Sequence, residues 1–201
     1  MEINNRDNKG GKMNRPDWDT YFMLVVKMIA SRSTCLSRQL GVVIVGLDGS
    51  TKNQILSTGY VGALPGLPSC YDIGQCYYRS NNLPKSSCKS SHAESNAINQ
   101  AAKAGISIYN TKIYTMLYPC YKCAKQIVMA GIKQVIYSGE HLVLEEMDKN
   151  VYELFRGSGI ICRQIDINYS EWVPFLIKES EKRQLPEISN LVEQGKNNGH
   201  T

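Results

Sequence analysis

The amino-acid sequence predicts an α/β fold, a three-layer α/β/α sandwich with helices on both faces of a five-stranded mixed sheet. Two observations predict it. Segments with helical spacing of apolar residues alternate with short β-branched runs from residue 92 onward, a pattern typical of α/β domains. Before that alternation, two β-branched runs flank the Asp48-Gly49 pair, which indicates a hairpin. The predicted order is α-β-β-α-β-α-β-α-β-α.

The elements follow in order from their periodicity and their boundary residues. The first helix begins after Asp17, a suitable N-cap, and the hairpin strands cover 41–50 and 54–62. The later helices are predicted at 92–105, 120–131, 145–159 and 171–183, and the later strands at 111–117, 133–139 and 160–167. Pro174 is expected to break or to start the last helix. Because a helix connects the last two strands, they are predicted to be parallel.

Local composition divides the chain into one domain with a tail at each end. Residues 1–15 are rich in Asn, Lys and Gly and residues 186–201 are polar, so both are predicted to be disordered tails around a domain at 16–185. Within the domain, residues 62–90 contain Gly, Pro, Ser, Tyr and three cysteines without a clear period. An irregular segment of this length indicates a functional loop or a loop clamped by a metal ion.

Overall composition and charge exclude several classes of protein. Of the 201 residues, 42% are hydrophobic and 20% are charged, and no apolar run approaches the roughly 20 residues of a membrane span. The first residues lack the apolar segment of a secretory signal, so a cytoplasmic location is predicted. A net charge of +5 suits a small anionic ligand, and the chain lacks the dense basic stripe of a nucleic-acid binder. Seven cysteines in a reducing compartment indicate metal binding or catalysis.

Four residues form a candidate catalytic zinc site. His92 and Glu94 open one predicted helix, and Cys120 and Cys123 open the next, directly after Pro119. The positive end of a helix favours the thiolate form that zinc binds. One imidazole and two thiolates leave the fourth tetrahedral position to water, which is the arrangement of catalytic zinc. Glu94 is not a ligand and is predicted to shuttle a proton between that water and the leaving group.

Each half of this motif has an ordinary interpretation by itself. A CxxC pair also occurs in structural zinc sites and in redox proteins, and a single histidine is usually a surface or core residue. The two halves together, each opening a helix, match the H-x-E…P-C-x-x-C signature of zinc nucleobase deaminases. The combined motif therefore favours catalysis over a structural site.

With these motifs the chain resembles the cytidine/deoxycytidylate deaminase superfamily. Within it, the chain is most similar to the deoxycytidylate deaminases of the bacterial and phage type. The resemblance extends from about Trp18 to Ile165. The similar segments are YFM at 21–23, RSTC at 32–35, GYVG at 59–62, HAESNAI at 92–98 and PCYKCAKQIVMAGIKQVIY at 119–137. The resemblance implies a cytidine-deaminase-like fold and zinc-dependent hydrolysis of dCMP to dUMP and ammonia, which feeds thymidylate synthesis. It also implies a homotrimer or homohexamer and control by the effectors dCTP and dTTP.

Four cysteines outside the catalytic motif are candidates for a second, structural zinc site, which the resemblance implies. One lies at the end of the first helix and three lie in the insertion at 62–90; they are Cys35, Cys70, Cys76 and Cys88. A closed site of four thiolates would order a loop that is otherwise costly to fix. The alternative is that one or two of these cysteines are small buried hydrophobic residues. Cys162, in the last strand, is predicted to lie in the core.

Substrate or effector contacts are expected close to the RSTC, GYVG and HAE segments. The candidates are Arg38, Gly59, Tyr60, Val61, Gly62 and Ala93. Val61 stands where the family usually has an Asn that contacts the deoxyribose. His141 and Leu142 stand where the family usually has an aromatic residue within a polar, acidic stretch. Both departures bear on nucleotide specificity.

Four functions therefore remain open for the chain. The first is deamination of dCMP, and the second is the same chemistry on another nucleotide or on a riboflavin-pathway intermediate. The third is a non-catalytic, zinc-stabilised binding protein, and Glu94 argues against it because a carboxylate that is not a ligand has no structural role there. The fourth is polynucleotide editing, which the absence of a basic groove signature disfavours.

Overall fold

The computed structural model describes residues 15–139 and 145–182. Its main sheet has five strands in the order β2-β1-β5-β6-β7. These strands are β1 (Gly41–Gly46), β2 (Ile55–Tyr60), β5 (Thr111–Thr115), β6 (Gln134–Tyr137) and β7 (Ile161–Gln164). Two short strands, β3 (Gly62–Ala63) and β4 (Ser90–Ser91), pair antiparallel in a separate ribbon.

The sheet is mixed, as the sequence predicts. β1 is antiparallel to both β2 and β5, whereas β5, β6 and β7 run parallel to one another. The helical connection before β7 accounts for the parallel pairing of the last two strands, because parallel neighbours require a crossover. The carboxyl end of β5 leads directly into the candidate zinc site.

In the described ranges, six α-helices accompany the strands. They are α1 (Trp18–Ala30), α2 (Tyr77–Ser80), α3 (Ala93–Ala104), α4 (Tyr121–Met129), α5 (Glu145–Gly157) and α6 (Tyr169–Lys182). Asp17 caps α1, as predicted, and its side chain accepts a 2.7 Å hydrogen bond from the Thr20 amide. Gly105 ends α3 in the left-handed conformation that glycine adopts at low cost.

Buried apolar side chains cover both faces of the sheet and confirm the three layers. On one face, Phe22, Met23 and Val26 of α1 form a core with Val43 and Tyr114 of the sheet. The larger core, here called the main core, lies on the other face of the sheet and joins α3, α4 and α5 to it. Its helix residues include Ala97, Ala101, Ala124, Ile127 and Phe155. The helices α3 and α4, which carry the site, are therefore fixed by the main core.

The predicted hairpin is confirmed, because β1 and β2 pair antiparallel, but its connection and the insertion differ in detail from what the sequence predicts. The predicted Asp48-Gly49 turn is part of an eight-residue connection at 47–54 that contains a 3₁₀ turn at Gly49–Thr51. The insertion at 62–90 is not free of regular structure, because it contains α2 and a 3₁₀ turn at Lys85–Ser87. These elements are one turn long, too short to leave a period in the sequence.

The last helix also differs from expectation. It lies in a second compact unit that begins at Asn168, and it runs from Tyr169 through Pro174 without a break. Pro174 is the sixth residue of α6, so the proline removes one backbone hydrogen bond close to the start of the helix. Of the tails predicted at 1–15 and 186–201, residues 1–14 and 186–201 lie outside the described residues. His141 and Leu142 lie outside them too.

Candidate active site

The ligand residues are placed by the starts of α3 and α4. His92 is the N-cap residue of α3 and follows β4 directly. Cys120 is the N-cap residue of α4, and Cys123 lies in the first turn of that helix. Both helices therefore present their N-terminal amides and their positive ends to the same place, which favours thiolate ligands. The predicted convergence of the two motifs is confirmed.

The distances among the three side chains fit a tetrahedral zinc ion. His92 Nδ1 lies 3.5 Å from Cys120 Sγ and 3.3 Å from Cys123 Sγ. With a Zn–N distance of about 2.0 Å and a Zn–S distance of about 2.3 Å, tetrahedral ligands are roughly 3.5 Å apart. Within residues 15–139 and 145–182, this is the one group of three or more His, Cys, Asp or Glu residues with ligand atoms this close.

Glu94 lies beside the ligand group without belonging to it. Its side chain is buried in the first turn of α3, and the Cys123 thiol donates to Glu94 Oε2 across 3.6 Å. Burial raises the pKa of the Glu94 carboxyl, because removal from water disfavours its charged form. A buried carboxyl next to a metal site has the position of a proton-transfer group.

The thiols of the two cysteines differ in acidity. The hydrogen bond with Cys123 holds the pKa of the Cys120 thiol far below its usual range, and the imidazole of His92 acts in the same direction. Cys120 is therefore the thiol of this pair that ionises first. A thiol that ionises readily at a helix start is suited to metal binding.

Three polar residues that sequence reasoning missed support this group. Ser95 Oγ donates a 2.7 Å hydrogen bond to Gln126 Oε1 and lies 3.9 Å from Cys123 Sγ. Asn96 Nδ2 donates a 2.7 Å hydrogen bond to the Tyr60 carbonyl. Ser95 and Asn96 follow His92 by three and four positions in the sequence. This spacing places the side chains of Ser95 and Asn96 on the same helix face as His92. That spacing is the signal that could have identified Ser95 and Asn96 from the sequence, whereas it gives no indication of Gln126.

The predicted GYVG residues lie against α3. A Cβ on Gly59 would lie 2.3 Å from the Ala93 carbonyl oxygen, so this glycine permits close approach of β2 and α3. Val61 is buried in the main core, and its carbonyl accepts a 3.1 Å hydrogen bond from the Thr34 amide. A Cβ on Gly62 would lie 2.9 Å from the Thr34 hydroxyl oxygen. Their contacts with a substrate remain predictions.

The four cysteines proposed for a second zinc ion have different environments. Cys70 is buried, Cys35 and Cys76 are half-buried, and Cys88 is exposed. The Tyr71 amide donates a 3.1 Å hydrogen bond to the Thr34 carbonyl, which brings the Cys70 segment beside the Cys35 segment. In the part of the chain that the structure describes, the four thiols do not form a second ligand group. The second zinc site therefore stays a prediction.

The structure also shows where two other residues singled out from the sequence, Cys162 and Arg38, lie in the fold. Cys162 packs against the main core, as predicted, and burial raises the pKa of its thiol to about 12. Arg38 lies on the exposed segment between α1 and β1, where it lines an open groove.

In the described ranges, none of the helices has both the length and the hydropathy that crossing a bilayer requires.

The fold and the site together define the class of this protein. An α/β/α sheet with one imidazole and two thiols at two helix starts, and a buried carboxyl beside them, is the arrangement of zinc-dependent deaminases. The family model for the cytidine and deoxycytidylate deaminase zinc-binding region matches residues 16–139. The chain belongs to this family, which confirms the resemblance seen in the sequence.

Similar proteins come from bacteria, yeast and animals. ComE operon protein 2 of Bacillus subtilis is 32% identical over 156 residues, covering 78% of this chain and 75% of the relative. The deoxycytidylate deaminase of Mus musculus is 34% identical over 159 residues, covering 78% of this chain and 84% of the relative. That of Saccharomyces cerevisiae is 32% identical over 165 residues, covering 81% of this chain. The chain matches only about half, 49%, of the length of this yeast relative.

A solved structure supports the fold. The dCMP deaminase from the cyanophage S-TIM5, in complex with dCMP and dUMP, superposes with a TM-score of 0.60 at 21% identity. The superposition covers 76% of this chain and 100% of the phage chain. The predicted cytidine-deaminase-like fold is thereby confirmed.

Proposed function

We propose that this protein catalyses the hydrolytic deamination of dCMP to dUMP and ammonia. The observation that carries the proposal is the buried Glu94 carboxyl, 3.6 Å from Cys123 Sγ and outside the ligand group. A structural zinc site needs no such carboxyl, whereas hydrolysis needs a group that moves protons. The choice of dCMP is supported by the relatives named deoxycytidylate deaminase and by the phage structure with dCMP and dUMP.

The proposed mechanism assigns separate roles to the four side chains. His92, Cys120 and Cys123 would hold the zinc ion, which lowers the pKa of a coordinated water towards 7 when bound. Glu94 accepts a proton from the water whose oxygen attacks C4 of the cytosine ring. It then gives a proton to the departing amino group as the C4–N bond breaks and ammonia leaves. The raised pKa of this buried carboxyl suits a group that must hold and release a proton.

Further properties belong to the same proposal because the resemblance implies them. The product dUMP would feed thymidylate synthesis, and dCTP and dTTP would act as effectors of a homotrimer or homohexamer in the cytoplasm. A second zinc ion would be held by the thiols of the insertion and by Cys35, which lies between α1 and β1. The hydrogen bond between the Tyr71 amide and the Thr34 carbonyl supports this, since it brings those two segments together.

Val61 favours one alternative, deamination of a different nucleotide. Its side chain offers neither a donor nor an acceptor and is buried in the main core, so it cannot bind a sugar hydroxyl. A compensating polar group is needed if dCMP is the substrate. Tyr60, Asn81 and Asn82 are candidates for this group, and a shifted binding pose is another solution.

Ammonia release from a substrate panel tests the proposal. The zinc-loaded protein is assayed with dCMP, deoxycytidine, cytidine, dCTP, a riboflavin-pathway intermediate and a cytosine-containing oligonucleotide. We expect the highest kcat/KM with dCMP. Activity only with another member of the panel would contradict the assignment of dCMP while retaining the deaminase class. No ammonia from any member would contradict the enzymatic function itself.

A further inference from the structure

An open groove of about 450 Å³ lies on the surface between the start of β1 and the insertion. The residues that line the groove come from several separate segments of the chain. They are Leu36, Ser37, Arg38, Leu40, Arg79 and Leu117. The two charged members come from separate parts of the chain. Arg38 belongs to the segment between α1 and β1, whereas Arg79 belongs to α2 in the insertion. Two cationic side chains therefore converge on one concave surface.

Neither arginine is neutralised by an acid in the described part of the chain, where ion pairs are found at other arginines. The Arg79 Nε atom donates a 3.2 Å hydrogen bond to the Tyr78 hydroxyl, and its guanidinium lies 5.7 Å from the centre of that ring. The Arg38 carbonyl accepts a 2.9 Å hydrogen bond from the Ser33 hydroxyl, which orders the segment. Guanidinium groups without a carboxylate partner are suited to an oxyanion such as phosphate.

The groove adjoins the segments that carry the ligands. Leu117 precedes Cys120 by only three residues, on the connection from β5 to α4. On the other wall, the Leu40 carbonyl accepts a 3.0 Å hydrogen bond from the Val61 amide. Val61 directly follows Tyr60, whose carbonyl is bound by Asn96 of α3. The walls of the groove are thus connected to both helices of the candidate active site.

The helix that carries Arg79 is tied to the same region. Lys89 Nζ lies 3.6 Å from the centre of the Tyr77 ring, so the first residue of α2 contacts a residue three positions before His92. Within the insertion, the Leu83 amide donates a 2.8 Å hydrogen bond to the Tyr78 carbonyl. These contacts give Arg79 a defined place although its side chain is exposed.

We propose that Arg79 and Arg38 form a subsite for the phosphate group of the substrate, so that the insertion selects a nucleotide over the corresponding nucleoside. This rests on the proposed function, because the base must lie at the zinc site for its phosphate to lie in the groove. The planar fork of each guanidinium can donate two hydrogen bonds to phosphate oxygens. Arg79 is then a specificity-determining residue with no part in proton transfer.

Steady-state kinetics with dCMP and with deoxycytidine test this proposal. In Arg79→Gln we expect kcat/KM for dCMP to fall by about 10- to 100-fold, the range for losing a hydrogen bond to a charged group. The loss should lie chiefly in KM, and kcat/KM for deoxycytidine should not change. Arg79→Lys should be intermediate, since it keeps the charge and loses the fork. The matched control Arg156→Gln removes an exposed arginine that is paired with Glu153 on α5. It should leave kcat/KM unchanged for both dCMP and deoxycytidine.

Two results would contradict the proposed phosphate subsite. One is an equal loss with dCMP and deoxycytidine in Arg79→Gln, which indicates a structural role. The other is unchanged dCMP kinetics. If the unmodified protein deaminates neither substrate, the proposed function fails and binding of inorganic phosphate, measured by calorimetry, decides the subsite. Phosphate binding that is lost in Arg79→Gln and kept in Arg156→Gln supports it, and equal binding by all three proteins overturns it.

Discussion

The hydroxyl of Ser95 donates a 2.7 Å hydrogen bond to the side-chain carbonyl of Gln126 and thereby joins α3 to α4. The same hydroxyl lies 3.9 Å from Cys123 Sγ. Because His92 starts one of these helices and Cys123 lies on the other, the bond helps to fix the separation of the two ligand atoms. Groups that orient metal ligands in this way contribute to affinity for the metal.

Removal of this link should weaken zinc binding. In Ser95→Ala and in Gln126→Ala we expect affinity for zinc to fall by roughly 10-fold, at the low end of effects on groups that orient ligands. Competition with a chromogenic chelator measures it. Ser95→Thr keeps a hydroxyl and should restore part of the affinity. Ser31→Ala, which removes an exposed hydroxyl bonded to the Met28 carbonyl, is the matched control. Unchanged affinity in both variants would refute the positioning role.

Gly59 should be intolerant of a methyl group. In Gly59→Ala the new Cβ would lie 2.3 Å from the Ala93 carbonyl oxygen and 2.5 Å from the Ala97 amide nitrogen, so α3 must shift. We expect the free energy of unfolding to fall by about 1–3 kcal/mol, as in other overpacked sites. Urea denaturation measures it. Gly157→Ala, where nothing lies within 4 Å of the added methyl group, should be neutral. Equal stabilities of the two variants would contradict the close packing of β2 and α3.

Val61 provides a test of how the sugar is recognised. In Val61→Asn an amide replaces a buried apolar side chain, so we expect a loss of about 1–3 kcal/mol in the free energy of unfolding. We expect kcat/KM for dCMP to change by less than about tenfold, because another polar group compensates for the missing amide. Thermal denaturation and steady-state kinetics measure the two effects. A gain in kcat/KM well beyond tenfold would show that no other polar group compensates for the missing amide in the unmodified protein.

The sequence predicts the centre of the site better than its surroundings. His92, Glu94, Cys120 and Cys123 could be predicted because each pair opens a helix whose start is marked by local residues. Ser95 and Gln126 could not be paired in advance, since 31 positions separate them and only the packing of α3 on α4 brings them together. Local pattern fixes where a helix begins, whereas contacts between helices depend on tertiary packing.

The insertion and the hairpin show the same limit. Arg79 lies on a helix of only four residues, which leaves no period in the sequence, so its convergence with Arg38 could not be predicted. The turn residues Asp48 and Gly49 correctly indicate that the chain reverses. They do not give the length of the connection, which depends on the 3₁₀ turn that follows.

Zinc content tests the two proposed metal sites separately. Elemental analysis of protein purified without chelators should find two zinc ions per chain if both sites bind metal as proposed. Cys120→Ser should remove one ion and abolish deamination, because it removes a ligand of the catalytic group. Cys88→Ser should remove the other and make the 62–90 segment sensitive to protease. A single zinc ion that is unaffected by Cys88→Ser would refute the second site.

The turnover of Glu94→Gln, measured as ammonia release from dCMP alongside the zinc content, tests most directly whether this site is a hydrolytic deaminase. The substitution keeps the size of the side chain and removes its capacity to carry a proton. We predict unchanged zinc content, because Glu94 lies outside the ligand group, and a fall in kcat of about 10²- to 10⁴-fold. Near-normal turnover with zinc retained would contradict the assignment of Glu94 as the proton shuttle.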